Sequence, residues 1–247
     1  MPLVQVTVAG RIAEIRLDHP PANAFSIAMW TTVTASLREL AADERVHAVI
    51  LTGAGGKVFS AGADVKEAAT LSDEEERARH ELVNRGLNAV AMFPLPLICA
   101  VNGAAIGGGL NIAALCDTRI AADSSFFALP EINHGRTGGG GAFLRHLGVA
   151  EGLIRRLLLT GRRISAAEAL GAGIVDEVVP LPDLADRARA VADEVAAKPR
   201  AALIRSKAAI LASSPPGKWL DGPGGEPQPA TAQQQKKPAQ SHEGVRV

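Results

Sequence analysis

The sequence predicts an α/β fold with a largely parallel core. Short, unbroken apolar runs at 48–52 (AVILT) and 97–101 (LICAV) each give way to a glycine-rich loop. Between them stand apolar-periodic stretches of helical length. Strands buried on both faces carry such unalternating runs, and strands alternating with helices build a parallel sheet, here as stacked ββα turns.

The chain opens differently. Val4, Val6 and Val8 alternate, Ala9 and Gly10 turn, and Ile12, Ile15 and Leu17 follow, which reads as a β-hairpin. A Pro/Asn-rich loop at 18–23 leads to a helix over 26–42, with Ser26 as its N-cap. Residues 53–62 read as a loop. Residues 72–92 read as a helix with Ser72 as N-cap and an acidic first turn, 73–76, stopped by Pro94 and Pro96. Residues 102–109 read as a loop and 110–115 as the start of a helix. Short strands are expected near 118–121 and 125–128, and mostly helix from 139 to 212.

One domain is expected over 1–212, with a layered core to about 140 and a helical part over 141–212. From 213 the chain is rich in Pro, Gly and Gln, with Trp219 and Leu220 as its main apolar anchors. Such a stretch buries too little surface to offset its ordering entropy, so 213–247 is expected to be a disordered tail.

Lys and Arg number 26 against 26 Asp and Glu, so charge gives no reason to expect nucleic acid or an anionic membrane as partner. Cys99 and Cys116 sit in apolar runs and read as buried free thiols. No metal-ligand spacing is present. The first residues go straight into an alternating pattern, so no signal peptide is expected, and no apolar run reaches the roughly 18 residues of a membrane span. A cytoplasmic protein is the expectation.

Three segments carry chemistry, each beginning where a buried strand ends. In 59–66 (FSAGADVK), small residues allow close approach to the backbone. If Asp64 begins a helix, the amides of Ala63 and Asp64 face outward and stabilise negative charge. Read alone, the segment is first of all an ordinary glycine-rich turn. In 100–109 (AVNGAAIGGG), the glycines fit neither the dinucleotide fingerprint nor a P-loop. What they offer is bare amides at a helix start, or tight helix–strand packing. Two such amides from different loops can form an oxyanion hole.

In 127–136 (FALPEINHGR), Glu131 is a lone carboxylate among apolar residues. In an apolar pocket its pKa rises and it can act as acid or base; on the surface it would merely cap the next segment. His134 shares its site if the segment turns helically, or is structural. Arg136 either binds a phosphate or is solvated.

In this order and spacing, FSAGADVKE (59–67), AVNGAAIGGGLNIAALCD (100–117), FALPEINHG (127–135) and LTGRRISAAEALGAGIVDEVV (159–179) resemble the crotonase (enoyl-CoA hydratase/isomerase) superfamily, as does DHPPANA (18–24). The resemblance implies a spiral of ββα turns followed by helices, a homotrimer or dimer of trimers, and an acyl-CoA thioester substrate. Coenzyme A is part of that substrate, so no separate cofactor is implied. The thioester oxygen falls by resemblance to the amides of Ala63 and Gly108, with Glu131 as acid/base. Ala22, Ala24, Ala61, Asp64, Val65, Gly107 and Gly139 fall to substrate binding. The family's first hydratase glutamate corresponds to Asn111 here, which cannot ionise. That leans toward moving a double bond between the 3 and 2 positions. Hydration, thioester hydrolysis, and a catalytically weak CoA-thioester-binding or subunit-interaction protein are the alternatives. The family's further C-terminal helices are replaced here by the low-complexity tail.

Overall fold

A computed structural model describes residues 2–136 and 139–213. Strands β1 (Val4–Ala9) and β2 (Ile12–Leu17) form the expected antiparallel hairpin, in register from Val4 opposite Leu17 to Ala9 opposite Ile12. Helix α1 (Ile27–Ala42) follows, and the Ser26 hydroxyl accepts from the Met29 N–H at 3.1 Å. That side chain satisfies one of the donors a helix start leaves free.

The chain then winds through three similar turns. Strand β3 (Ala48–Gly53) is followed by β4 (Val58–Ser60) and the helices α2 (Val65–Ala68) and α3 (Asp73–Ala91). Next come β5 (Leu97–Val101), β6 (Ala104–Ile106) and α4 (Gly108–Leu115), then β7 (Thr118–Ala122) and β8 (Phe126–Ala128). In each turn the first strand joins a large sheet and the second a small one. After a 3₁₀ turn (Pro130–His134) come α5 (Gly140–His146), α6 (Glu151–Thr160), β9 (Arg163–Ser165), α7 (Ala166–Gly171), β10 (Glu177–Val179), α8 (Leu184–Ala196) and α9 (Arg200–Ser213). The large sheet runs β1-β2-β3-β5-β7-β10, parallel from β2 onward, and the small one β4-β6-β8-β9.

Burial explains the apolar runs. Val49 and Leu51 of β3, and Leu97 and Cys99 of β5, face the main core shared with α1, α3 and α4. Their neighbours Ala48, Ile50, Ile98 and Ala100 face a second core under α8. Helix α8 fits this face with Leu184, Ala188, Ala192 and Ala196, one residue per turn. Both faces of the strand are covered, so the polar alternation of a half-exposed strand is absent.

The corners between the two sheets are tied to one another. Asn102, after β5, donates to the carbonyls of Gly53 and Gly55 and accepts from the Gly53 N–H at 3.2 Å. Ser125, after β7, donates to the Val101 carbonyl at 2.9 Å. A buried polar group is retained only when it is bonded in this way, so these side chains fix how successive turns stack.

The structure departs from the sequence reading in the loops. Residues 53–62 and 102–109 hold β4 and β6, three residues each and too short to show a period. Helix α4 starts at Gly108 rather than 110, because glycine's low helix propensity hides its first turn. The region read as mostly helical also supplies β9 and β10, each completing a sheet. Both cysteines are buried and free. The low-complexity stretch lies outside the described residues beyond Ser213, which closes α9.

Two cations tie helix α9 down: Arg200 at its start donates to Val46 O at 2.9 Å and Ala41 O at 2.7 Å, and Lys207 is buried further along. Lys207 Nζ donates to the Leu95 carbonyl at 2.9 Å and to Asp117 Oδ2 at 2.6 Å, and that oxygen also accepts from the Leu97 N–H at 2.7 Å. Charge-assisted bonds of this kind contribute about 1.5–3 kcal/mol each. Lys207→Met is therefore expected to cost about 2–4 kcal/mol and lower the melting midpoint by roughly 4–16 °C, measured by thermal unfolding. An unchanged midpoint would show that α9 is not held there.

Candidate active site

A cavity of about 540 Å³ opens between the loop before α1, the Ala61–Lys66 wall, the start of α4 and the 3₁₀ turn. The first two of these walls are stitched together. Ala61 N donates to Ala22 O at 2.9 Å, Phe25 N to Gly62 O at 2.7 Å, and Asp64 N to Phe25 O at 3.1 Å. Ser60 Oγ donates to Asn23 O at 2.8 Å and accepts from Gly62 N at 3.1 Å. Asp64 then caps α2, accepting from Lys66 N at 3.0 Å and Glu67 N at 3.1 Å. Every neighbour of Ala63 is thus committed, while among the described residues the Ala63 N–H has no acceptor.

The second loop meets the first at a pair of glycines. Gly62 has φ +82°, and a Cβ there would lie 2.7 Å from Ile106 O and 2.8 Å from Gly108 N. Only glycine accepts both the dihedral and the contact. A Cβ on Gly108 would stand 3.8 Å from Ala63 N, so the two nitrogens lie within roughly 6 Å of one another by standard backbone dimensions. Gly108 is the first residue of α4, where an N–H has no intrahelical acceptor. Two backbone nitrogens without an acceptor for their protons therefore lie close together at the cavity wall, one of them at the positive end of a helix.

Glu131 comes from the 3₁₀ turn. Gly107, with φ +52°, leaves the space its carboxyl needs: a Cβ there would lie 2.8 Å from Glu131 Oε1. Oε2 is buried and has no hydrogen-bond partner. Burial raises the carboxyl above the ordinary carboxylate range, opposed by its own backbone N–H and by His134. The result is a carboxyl able to take or give a proton, on the same cavity wall as the Ala63 and Gly108 nitrogens.

This shift has a measurable sign. A carboxyl whose folded-state pKa is raised penalises the fold only once it ionises. The penalty is absent below the ordinary carboxylate range and grows as pH rises through the raised value. Glu131→Gln is thus expected to melt higher than wild type near about pH 8, the gain vanishing toward about pH 4. A gain that persisted in acid would remove burial of the charge as its cause.

Ala22, Ala24, Ala61, Ala63, Asp64, Val65, Gly107, Gly108 and Glu131 all border this cavity. His134 and Arg136 border it too, because the segment does turn helically. Asn111 and Gly139 do not. Asn111 lies one helical turn beyond Gly107, buried, with its Oδ1 unpaired and 2.7 Å from where a Cβ on Gly140 would sit. Gly139 is exposed at the N-cap of α5. The sequence reading missed His19, Pro20, Pro21, Lys66, Ile106 and Pro130 on the cavity wall. The His-Pro-Pro stretch was the available signal, and it reads as a connector until the Ala22–Ala61 bond lays it along the cavity.

The enoyl-CoA hydratase/isomerase family profile matches residues 7–218. The short-chain-enoyl-CoA hydratase of Clostridium acetobutylicum is 36% identical over 203 residues, 81% of this chain and 78% of that protein. The probable enoyl-CoA hydratase echA8 of Mycobacterium leprae is 39% identical over 204 residues, 81% of this chain and 77% of that protein. Among solved structures, an enoyl-CoA hydratase from Bacillus anthracis superposes with a TM-score of 0.81 at 33% identity, covering 89% of this chain and 87% of the other. An enoyl-CoA hydratase/carnithine racemase from Magnetospirillum magneticum gives 0.82 at 32%, covering 87% and 82%. With the two-sheet spiral and its cavity, these likenesses establish that the chain belongs to the enoyl-CoA hydratase/isomerase family.

Proposed function

We propose that this enzyme moves the double bond of an enoyl-CoA thioester between the 3 and 2 positions through an enolate. The Ala63 and Gly108 N–H groups hold the thioester oxygen, where the enolate charge develops. Because neighbouring bonds already fix them, they stabilise that charge without reorganising. Glu131 removes a proton from one carbon and returns it to another. Coenzyme A enters as part of the substrate, along Ala22, Ala24 and Ala61, and no resident cofactor or metal takes part. The observation that carries this reading is the unpaired, buried Oε2 of Glu131 beside two N–H groups that lack acceptors.

Asn111 favours isomerisation over hydration. By resemblance it falls at the position of the family's first hydratase glutamate, and an amide cannot take a proton from water. Hydration is the second reading. Its support is the names of the relatives, which are hydratases. Incubation with 3-enoyl- and 2-enoyl-CoA, followed by product mass and double-bond position, separates the two. Isomerisation leaves the mass unchanged and hydration adds one water. Release of free CoA alone contradicts both.

A cytoplasmic assembly of three or six copies completes the proposal. Leu159 on α6, 71% exposed, and Ile210 on α9, 67% exposed, are the apolar side chains that support association. No helix among the described residues is long and apolar enough to cross a membrane.

A further inference from the structure

The cavity wall is mixed in character. Pro20, Pro21, Ala22, Ala24 and Ala61 give it apolar surface, and on the same wall as Glu131 stand His134 and Arg136, both exposed to solvent. The 3₁₀ turn closes at Gly135, in the left-handed region at φ +67°, and the chain folds back so that the Arg136 N–H donates to the Glu131 carbonyl at 3.0 Å. Arg136 is thereby held within one turn of the reactive carboxyl.

Its guanidinium is not neutralised. No carboxylate of the described residues lies within ion-pair distance of it. Glu76 on α3, whose charge Arg136 feels, is committed elsewhere: both its oxygens accept from Arg79, each at 2.6 Å. Asp64, across the cavity, is committed to capping α2.

An acyl group with its reacting carbons at Glu131 occupies a cavity that this guanidinium and imidazole also line. A hydrocarbon end gains nothing there. A carboxylate gains a planar, two-pronged, charge-assisted pairing that arginine is shaped to give.

We propose that Arg136, with His134 beside it, makes this cavity select acyl-CoA thioesters whose acyl group ends in a carboxylate. The proposal rests on the enolate reading of the same cavity. The same guanidinium could instead meet a phosphate of coenzyme A, the other anion such a substrate brings.

The test compares two enoyl-CoA thioesters identical except for a terminal carboxylate in one and a carboxamide in the other. Each is also made with dephospho-CoA. Wild type is expected to favour the carboxylate by about tenfold or more in kcat/KM, as one charge-assisted pairing implies. Arg136→Gln is expected to bring that ratio near one, and Arg136→Lys to restore part of it. A wild-type ratio near one, or a ratio untouched by Arg136→Gln, overturns the proposal. So does an Arg136→Gln defect equal for both acyl groups and abolished with the dephospho thioesters, since it assigns the guanidinium to the CoA phosphate. Calorimetric binding of the same pair to wild type and Arg136→Gln reads the preference without turnover. Binding that prefers the carboxylate without any turnover would sink the enolate reading and leave this one standing.

Discussion

Glu131→Gln is expected to lower turnover of an enoyl-CoA thioester by about 10²–10⁴-fold, the usual contribution of a positioned acid/base. Thioester affinity should change far less. Glutamine matches glutamate in shape, so it occupies the space that Gly107 leaves, but it cannot carry the proton between carbons. Because the raised pKa of Glu131 comes first from burial, the substitution also removes a buried charge, and loss of fold does not explain the loss of rate. Steady-state turnover and calorimetric binding, run side by side, check both halves. Equal rates in the two proteins would remove Glu131 from the reaction.

Gly108→Pro is expected to lower kcat by about 10²–10³-fold, the loss typical of deleting one oxyanion donor. Proline suits the first position of a helix, where its missing N–H has no helical partner to lose. It therefore deletes the donor at a position of α4 where no intrahelical bond is lost. Gly108→Ala is the matched comparison. It keeps the N–H, and its Cβ would stand 3.5 Å from Gly62 Cα, an ordinary contact. The gap in kcat between the alanine and proline variants measures the donor. No gap, with both proteins folded by circular dichroism, would place the thioester oxygen elsewhere.

Much of this was legible in the residues, and the limits have physical causes. The runs at 48–52 and 97–101 announced buried strands because α8 covers the face that would otherwise have alternated. The Ser26 and Ser72 caps announced helix starts because each satisfies orphan donors locally. Strands β4 and β6 escaped because a three-residue strand of small side chains has no period and exists only through pairing with the next turn. In the site, Ala63, Gly108 and Glu131 each sat in a motif, but their meeting could not be read from any one of them. It depends on Gly62 touching Gly108 and on Gly107 making room for Glu131, contacts between segments far apart in sequence. Asn111 marks the other limit. The sequence placed it on α4, while only packing shows its oxygen turned toward Gly140.

Exchange of the C2 protons of a saturated acyl-CoA in deuterium oxide, followed by mass spectrometry, reads enolate formation without any later step. Wild type is expected to incorporate deuterium, and Glu131→Gln and Gly108→Pro each to slow incorporation by the factors given above. Wild type that turns over enoyl-CoA yet incorporates none, or variants that exchange as fast as wild type, would contradict an enolate held by these two N–H groups and served by this carboxyl.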